Sequence, residues 1–179
     1  MNYQKIIDKY YKENDALRNV LLVHSHSVAL KALAIVDAHP ELHLDRRFVE
    51  EAAMIHDIGI FRCNAPGIHC HGTEPYICHG PIGAEILRAE GFPEHARVCE
   101  RHTGSGITLA TILERNLPLP HMDLLPETLE EKVVCYADKF FSKTKLHIEK
   151  TYEQAEHSLE KFGADSVERF HALADLFGR

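Results

Sequence analysis

Apolar residues recur along most of the chain at intervals of three and four, the spacing of side chains on one face of an α-helix. Alternating patterns typical of β-strands are scarce, and the chain contains no internal repeat. With the capping residues, the pattern predicts nine helices, over residues 2–13, 16–38, 46–57, 80–90, 94–102, 107–115, 128–142, 150–161 and 165–177. Gly59 and Gly91 suit left-handed helix ends. The expected fold is all-α, a helical bundle forming a single domain over residues 1–179.

Two long connectors separate the predicted helices. Residues 60–78 are broken by glycine and proline, and residues 116–127 are rich in proline. Connectors longer than about 12–15 residues in compact domains are usually functional or disordered. The first connector starts just after an adjacent histidine and aspartate, so we predict that it forms a wall or lid over a site there.

Composition limits the classes of partner. The net charge is −7 and no block of lysine and arginine is present, so we expect no nucleic-acid partner. No segment approaches the roughly 18 consecutive apolar residues of a membrane span, and the first residues do not resemble a signal peptide. The five cysteines form no CxxC pair and are expected to be reduced thiols. A cytoplasmic protein that acts on a small molecule is the expectation.

Histidine is unusually frequent, with 14 residues against no tryptophan. In the predicted helix 16–38, His24 shares one apolar face with Leu21 and Val28, whereas His26 lies about 200° further around the axis. We therefore expect His24 to be buried. By itself this pattern is also explained by a core histidine that bonds to a backbone carbonyl.

Two aspartates also lie on apolar faces. Asp57 follows His56 at the end of the predicted helix 46–57, and Asp138 lies on the same face as Val134. A buried carboxylate is costly unless it is paired or binds a metal. Separately, a hydrogen-bonded His–Asp pair and a salt bridge to an arginine would explain them. Together with His24 they form a set of histidine and carboxylate ligands suited to Fe, Mn, Zn or Ni.

These residues carry a resemblance to a known family. A histidine in HSHSV (His24), the pair in HDIG (His56, Asp57) and the aspartate in YADKFF (Asp138) resemble the metal-dependent phosphohydrolases of the HD-domain family. The segments HGPIGA and HTG, which hold His79 and His102, are most similar to bacterial HD-type enzymes that cleave diadenosine tetraphosphate symmetrically. The resemblance places the metal-site core at about residues 20–142 and leaves residues 150–177 as C-terminal helices.

The resemblance implies a specific site. His24, His56, Asp57 and Asp138 would hold one divalent metal, and His79 with His102 would complete a second, with Asp57 as the bridging ligand. Iron is the metal favoured by the resemblance, with Mn, Zn or Ni as alternatives. A hydroxide bridging the metals would attack a nucleotide or dinucleoside polyphosphate. Otherwise His79 and His102 are capping or surface histidines.

Positive side chains are expected to bind the phosphate groups of the substrate. Related enzymes often carry a lysine directly after HDIG, but this chain has Ile60 there, and Arg62 is a candidate substitute. The other candidates are Arg101, Lys139 and Lys143. Each of the four is also explained as a solvated surface charge.

Several alternatives remain at this point. The chain is also similar to cyclic-dinucleotide phosphodiesterases of the HD-GYP type, although it has HTGSGI where they carry their signature. Some HD proteins with this order of ligands are mixed-valent di-iron oxygenases, and a metal that only stabilises the bundle is a third possibility. A separate zinc site would use residues of the first connector, namely His69, Cys70, His71 and Cys78, although their spacing suits structural zinc poorly.

Overall fold

The computed structural model describes residues 1–179 and is built almost entirely from helices, which confirms the all-α prediction. The nine α-helices are α1 (Tyr3–Tyr10), α2 (Asp15–Ala38), α3 (Arg46–Ile55), α4 (His79–Ala89), α5 (Pro93–Arg101), α6 (Leu109–Glu114), α7 (Leu129–Asp138), α8 (Tyr152–His157) and α9 (Ala164–Phe177). The one sheet pairs β1 (Asn64–Ala65) with β2 (Cys70–His71) in antiparallel register, with Asn64 opposite His71.

The long helix α2 lies at the centre of the bundle and packs against α3 and α7. Asn14 caps its N-terminus by accepting a hydrogen bond from the Leu17 amide. By length and composition alone α2 could cross a membrane, contrary to the expectation that no segment would qualify. Half of its apolar window is buried inside the protein, and a core helix passes the same test.

Two apolar clusters form most of the core. The larger lies among α2, α3, α7 and α9, and the second lies among α1, α4, α5, the start of α2 and the first connector. On α2, Leu21 belongs to the second cluster and Val28 to the larger one, and the buried His24 lies between them along the helix. The boundary between the two clusters is therefore where polar side chains enter the core.

Helix α3 ends two residues before its predicted limit. Its last residue is Ile55, and Asp57 takes φ −103° and ψ 12°, after which a 3-10 helix runs over Ile58–Arg62. Gly59 is not the predicted left-handed stop, since its φ is not positive, whereas Gly91 has φ 85°. A Cβ on Gly59 would lie 2.3 Å from the His79 carbonyl oxygen. Glycine is needed here because the backbone of this turn touches α4.

The first connector is folded into short elements. It contains β1, β2 and the 3-10 helices Pro66–Ile68 and Tyr76–Cys78, and Asn14 donates a hydrogen bond to the His69 carbonyl at 2.9 Å. Its three cysteines are buried and form no disulfide bond, and the same is true of the other two cysteines of the chain. The connector is thus held against the bundle from its start to α4.

The close approach at Gly59 yields a stability prediction. Gly59→Ala should lower the free energy of unfolding by about 1–3 kcal/mol, since the added methyl meets backbone atoms that cannot move independently. Urea unfolding followed by circular dichroism measures the difference. Gly67→Ala is the matched control, because a Cβ there meets no atom within 4 Å. Equal unfolding midpoints for the two variants would contradict the prediction.

Candidate metal centre

The six predicted metal ligands come together from five helices. His24 lies within α2, His56 and Asp57 directly follow α3, His79 begins α4, His102 follows α5, and Asp138 ends α7. All six are buried, and the most exposed, Asp138, shows 8% of its surface. Five of the six are at or next to a helix end, where side chains from different helices can converge on one point.

The end of α3 explains how neighbouring residues share one site. Side chains of adjacent helical residues point about 100° apart and do not normally meet. His56 keeps helical dihedral angles, whereas Asp57 leaves them. The His56 Nε2 and Asp57 Oδ2 atoms are consequently 3.1 Å apart.

A first group of ligand atoms surrounds one carboxylate oxygen. His24 Nε2 lies 3.2 Å from Asp57 Oδ2 and 3.0 Å from Asp138 Oδ1. His56 Nε2 lies 3.5 Å from the same Asp138 oxygen. One ligand atom from each of these four residues falls within 4.8 Å of the others, which is close enough for a shared ion.

A second group uses the other oxygen of Asp57. His79 Nε2 and His102 Nε2 each lie 3.4 Å from Asp57 Oδ1. Asp57 therefore presents one oxygen to each group, the arrangement of a carboxylate that can bridge two ions. The four histidines and two aspartates together form what we call the His–Asp cluster.

Backbone carbonyls fix the orientation of three of the imidazoles. The Nδ1 atoms of His56, His79 and His102 lie 2.6–2.7 Å from the carbonyl oxygens of the residues three positions earlier. A carbonyl only accepts hydrogen bonds, so Nδ1 carries the proton and a neutral ring leaves Nε2 as an acceptor. Such bonds are the usual support of a metal-binding histidine.

The contact between His79 and His102 tests whether these residues suit a metal. Their Nε2 atoms are 3.0 Å apart, and burial lowers the pKa of both rings, that of His79 to about 3, despite the nearby Asp57. Both rings are therefore neutral near pH 7, and two acceptor nitrogens face each other with no proton between them. A cation bound by both removes this repulsion, so the donor set fits a metal.

Buried polar atoms of the cluster that make no hydrogen bond agree with this result. Both ring nitrogens of His24, Nε2 of His56 and Oδ1 of Asp57 are buried and make no hydrogen bond of acceptable geometry. Buried polar atoms in native proteins are nearly always bonded, and the exceptions call for an explanation such as an ion. Imidazole nitrogens and carboxylate oxygens suit Fe, Mn, Zn or Ni.

Two lysines add positive charge at the cluster. Lys143 Nζ lies 2.6 Å from Asp57 Oδ2, and Lys139 Nζ lies 2.6 Å from Asp138 Oδ2. Burial opposes ionisation of both aspartates, but His56 and Lys143 at Asp57, and Lys139 at Asp138, hold each pKa well below 3.8. Both carboxylates are therefore ionised and available as ligands.

A cavity of about 170 Å³ opens onto the cluster. Only two of the four predicted phosphate-binding residues line it. Lys139 and Lys143 line it. Arg62 and Arg101 do not: Arg62 is exposed and pairs with Glu85, and Arg101 is buried and pairs with Glu127 at 2.6 Å. The structure therefore brings Lys139 and Lys143 to the cavity and does not bring Arg62 and Arg101 there.

The four residues of the alternative zinc site do not form a cluster of metal ligands. His69 and His71 are exposed, and Cys70 and Cys78 are buried, with the Cys78 thiol donating to the Pro118 carbonyl oxygen at 3.2 Å. Neither group of close metal-ligand atoms includes any of the four. Neither histidine lines the cavity at the cluster.

The structure adds three residues that the sequence analysis missed. Lys150 and Lys161 line the cavity beside Lys139 and Lys143, and Tyr76 stacks on His79 with ring centres 4.7 Å apart. The lysines come from the segment after α7 that folds back over the cluster, which no local spacing reveals. The only sequence feature that could have indicated a role for Tyr76 is its position three residues before His79.

Comparisons with known proteins were made on the whole chain. The family model described as HD domain matches residues 21–143. An uncharacterized protein of Methanocaldococcus jannaschii is 36% identical over 98% of this chain and 96% of its own length. The tRNA (cytidine(56)-2'-O)-methyltransferase of Picrophilus torridus is 30% identical over the whole chain, and that of Thermoplasma volcanium is 29% identical over 98% of it. The match covers 51% and 48% of these two methyltransferases, so the chain spans about half their length. No solved structure is significantly similar.

The protonation of His56 predicts a pH-dependent metal affinity. Burial opposes the imidazolium, but Asp57 and Asp138 raise the pKa of His56 to about 9 in the metal-free protein. A metal needs the neutral ring, so binding near pH 7 should release about one proton from His56 and weaken as the pH falls below 9. Calorimetric titration with MnCl₂ in two buffers of different ionisation enthalpy counts the protons. Equal binding enthalpies in both buffers at pH 7 would contradict this assignment.

The same pKa affects the stability of the metal-free protein. A histidine whose pKa is raised on folding stabilises the fold below its unfolded value, near 6.5, and this contribution is lost as the pH rises towards 9. The contribution of His56 to stability and the affinity for metal should therefore change in opposite directions over this range.

The ion pair of Lys143 with Asp57 predicts the effect of removing one partner. Lys143→Met should destabilise the metal-free protein by about 3 kcal/mol, since the buried Asp57 carboxylate loses its nearest cation. Added Mn²⁺ should reduce the difference in stability between Lys143→Met and wild type. Lys161→Met is the matched control, because Lys161 has no carboxylate partner, and it should change stability by less than about 0.5 kcal/mol. Thermal unfolding with and without Mn²⁺ measures all four cases, and equal losses in both variants would refute the role of the pair.

Proposed function

The chain belongs to the HD domain family, and from that premise we propose that it is a metal-dependent phosphohydrolase that cleaves nucleotides or dinucleoside polyphosphates. The observation that carries the proposal is the position of the Asp57 carboxylate, whose two oxygens face two separate groups of imidazole nitrogens. We further propose that residues 1–179 form one HD domain in the cytoplasm. Five unpaired cysteines support a reducing compartment.

In this proposal the His–Asp cluster would hold the metal. One ion would be held by His24, His56, Asp57 and Asp138, and a second by Asp57, His79 and His102. Divalent ions at such a site polarise a phosphate group and lower the pKa of coordinated water. Iron is the metal that we propose, and Mn, Zn and Ni fit the same donors.

The protein's own residues orient and attract the substrate. The Nδ1 bonds of His56, His79 and His102 hold their rings in place before substrate arrives. Lysine side chains on the cavity wall face the phosphate groups and offset their charge, the four being Lys139, Lys143, Lys150 and Lys161. A protein of net charge −7 thus presents a positive surface where a phosphate ester would bind.

A phosphate ester on RNA is a second candidate substrate. It is favoured by the two relatives named as tRNA methyltransferases, in which the region similar to this chain makes up about half of the protein. A small phosphate compound stays the first candidate because the cavity at the cluster is only about 170 Å³.

Phosphate release tests the proposal directly. Protein loaded with Fe²⁺ or Mn²⁺ under anaerobic conditions is incubated with diadenosine tetraphosphate, ATP, AMP, cyclic di-GMP and an RNA oligonucleotide bearing a terminal phosphate. We expect hydrolysis of a mononucleotide or the dinucleoside polyphosphate. His24→Ala should reduce kcat/KM on the order of a thousandfold, because the metal loses a ligand. His26→Ala, on the exposed side of the same helix, is the matched control and should retain activity.

Each other outcome has a clear meaning. Cleavage of cyclic di-GMP alone would assign a cyclic-dinucleotide phosphodiesterase, and cleavage of the oligonucleotide alone would assign the RNA substrate. In a separate aerobic incubation with an organophosphonate or a polyol, turnover that requires dioxygen would assign the oxygenase alternative. Absence of hydrolysis across the panel, with metal bound, would end the proposal.

A further inference from the structure

A second cavity, of about 390 Å³, lies next to the one at the His–Asp cluster. Its size falls within the range of small-molecule sites, about 300–1,000 Å³. Three residues line both cavities, namely Tyr76, Lys143 and Lys161. The two cavities are therefore neighbours, and these three side chains lie at the boundary between them.

The first connector builds one side of this second cavity. Residues 65–68, at the turn between β1 and β2, contribute Ala65, Pro66, Gly67 and Ile68. Ile68 is buried within the second apolar cluster, which anchors the turn to the bundle. The opposite side is the segment 142–144, directly after α7. We call this space the connector cavity.

The lining indicates which chemical group would bind. None of the nine lining residues is acidic, and the connector side offers apolar side chains and a glycine backbone. The two lysines are the residues shared with the metal cavity, so positive charge lies towards the cluster. The hydroxyls of Ser142 and Thr144, together with the Tyr76 phenol, are the neutral polar groups of the lining. A flat, uncharged ring with polar edges matches this lining.

The path between the cavities is short. Lys143 Nζ is 2.6 Å from Asp57 Oδ2, and the Tyr76 ring stacks on His79 at an angle of 23°. Each of these two residues therefore touches a ligand of the cluster and lines the connector cavity. A phosphate at the cluster would place the rest of its molecule beside Tyr76.

We propose that the connector cavity binds the base of a nucleotide substrate whose phosphate lies at the His–Asp cluster. This inference rests on the proposed function and adds to it a location for base recognition in residues 65–68 and Tyr76. The apolar lining supplies contact area for the ring, and the hydroxyls of Ser142 and Thr144 supply hydrogen bonds.

Gly67 allows the edge of the cavity to be altered without disturbing the fold. A Cβ at this position meets no atom within 4 Å, and its φ lies outside the left-handed region. Gly67→Leu therefore adds a branched side chain at the exposed turn that borders the connector cavity. Gly67→Ala is the matched control, because a single methyl leaves most of the space open.

Equilibrium binding of AMP and ribose 5-phosphate tests the proposal, since the two ligands differ only in the base. Calorimetric titration of the full chain without metal, which keeps AMP intact under the proposed metal-dependent mechanism, should show AMP binding at least about tenfold tighter than ribose 5-phosphate. Gly67→Leu should bring this ratio to within about twofold by weakening AMP alone. Gly67→Ala should keep the wild-type ratio.

The contrary results separate this proposal from the proposed function. Equal affinity of wild type for both ligands, or an unchanged ratio in Gly67→Leu, overturns base binding in the connector cavity while leaving phosphohydrolase activity intact. Absence of hydrolysis in the substrate panel overturns the proposed function, and the binding ratio still decides the location of the base. Thermal unfolding of Gly67→Leu within about 2 °C of wild type confirms that the variant is folded.

Discussion

The fold is arranged around a concentration of negative charge and acceptor atoms in its interior. Asp57 is fully buried, and a second buried carboxylate and four imidazoles surround it. Such an arrangement is costly without cations. Other features follow from it: α3 stops early so that His56 and Asp57 converge, and Gly59 allows the following turn to reach the start of α4, where His79 lies.

The protein meets part of this requirement with its own cations. Lys143 and Lys139 each pair with a buried aspartate, and the raised pKa of His56 supplies a further positive charge when no metal is bound. In the proposed function, a bound metal would replace the His56 proton and the lysines would face the phosphate group of the substrate. Stability, metal affinity and substrate attraction would then depend on the same few charges, so a change in one of them would alter all three.

The sequence was sufficient to predict most of the helices, and local patterns singled out His24, His56, Asp57 and Asp138. His79 and His102 entered the prediction only through the family resemblance. Helical periodicity places His24 on the buried face of α2, and a polar residue on an apolar face is recognisable in one helix at a time. Arg62 and Arg101, predicted to bind phosphate, do not line the cavity and pair with Glu85 and Glu127 instead. Pairing between distant charges leaves no periodic trace. Lys150 and Lys161 were missed because the return of the segment after α7 to the cluster leaves no local pattern either.

The metal ligands and the lining of the connector cavity lie on different kinds of structure, so they can vary independently. The ligands of the His–Asp cluster belong to α-helices or their ends, which the apolar core fixes in position. Most of the lining of the connector cavity, residues 65–68 and 142–144, lies outside the α-helices. Connecting segments tolerate substitution better than core elements do. A change at Gly67 meets empty space, but a change at Gly59 meets the backbone of α4. The same fold can therefore retain the chemistry of the cluster while the connectors determine which molecule is presented to it.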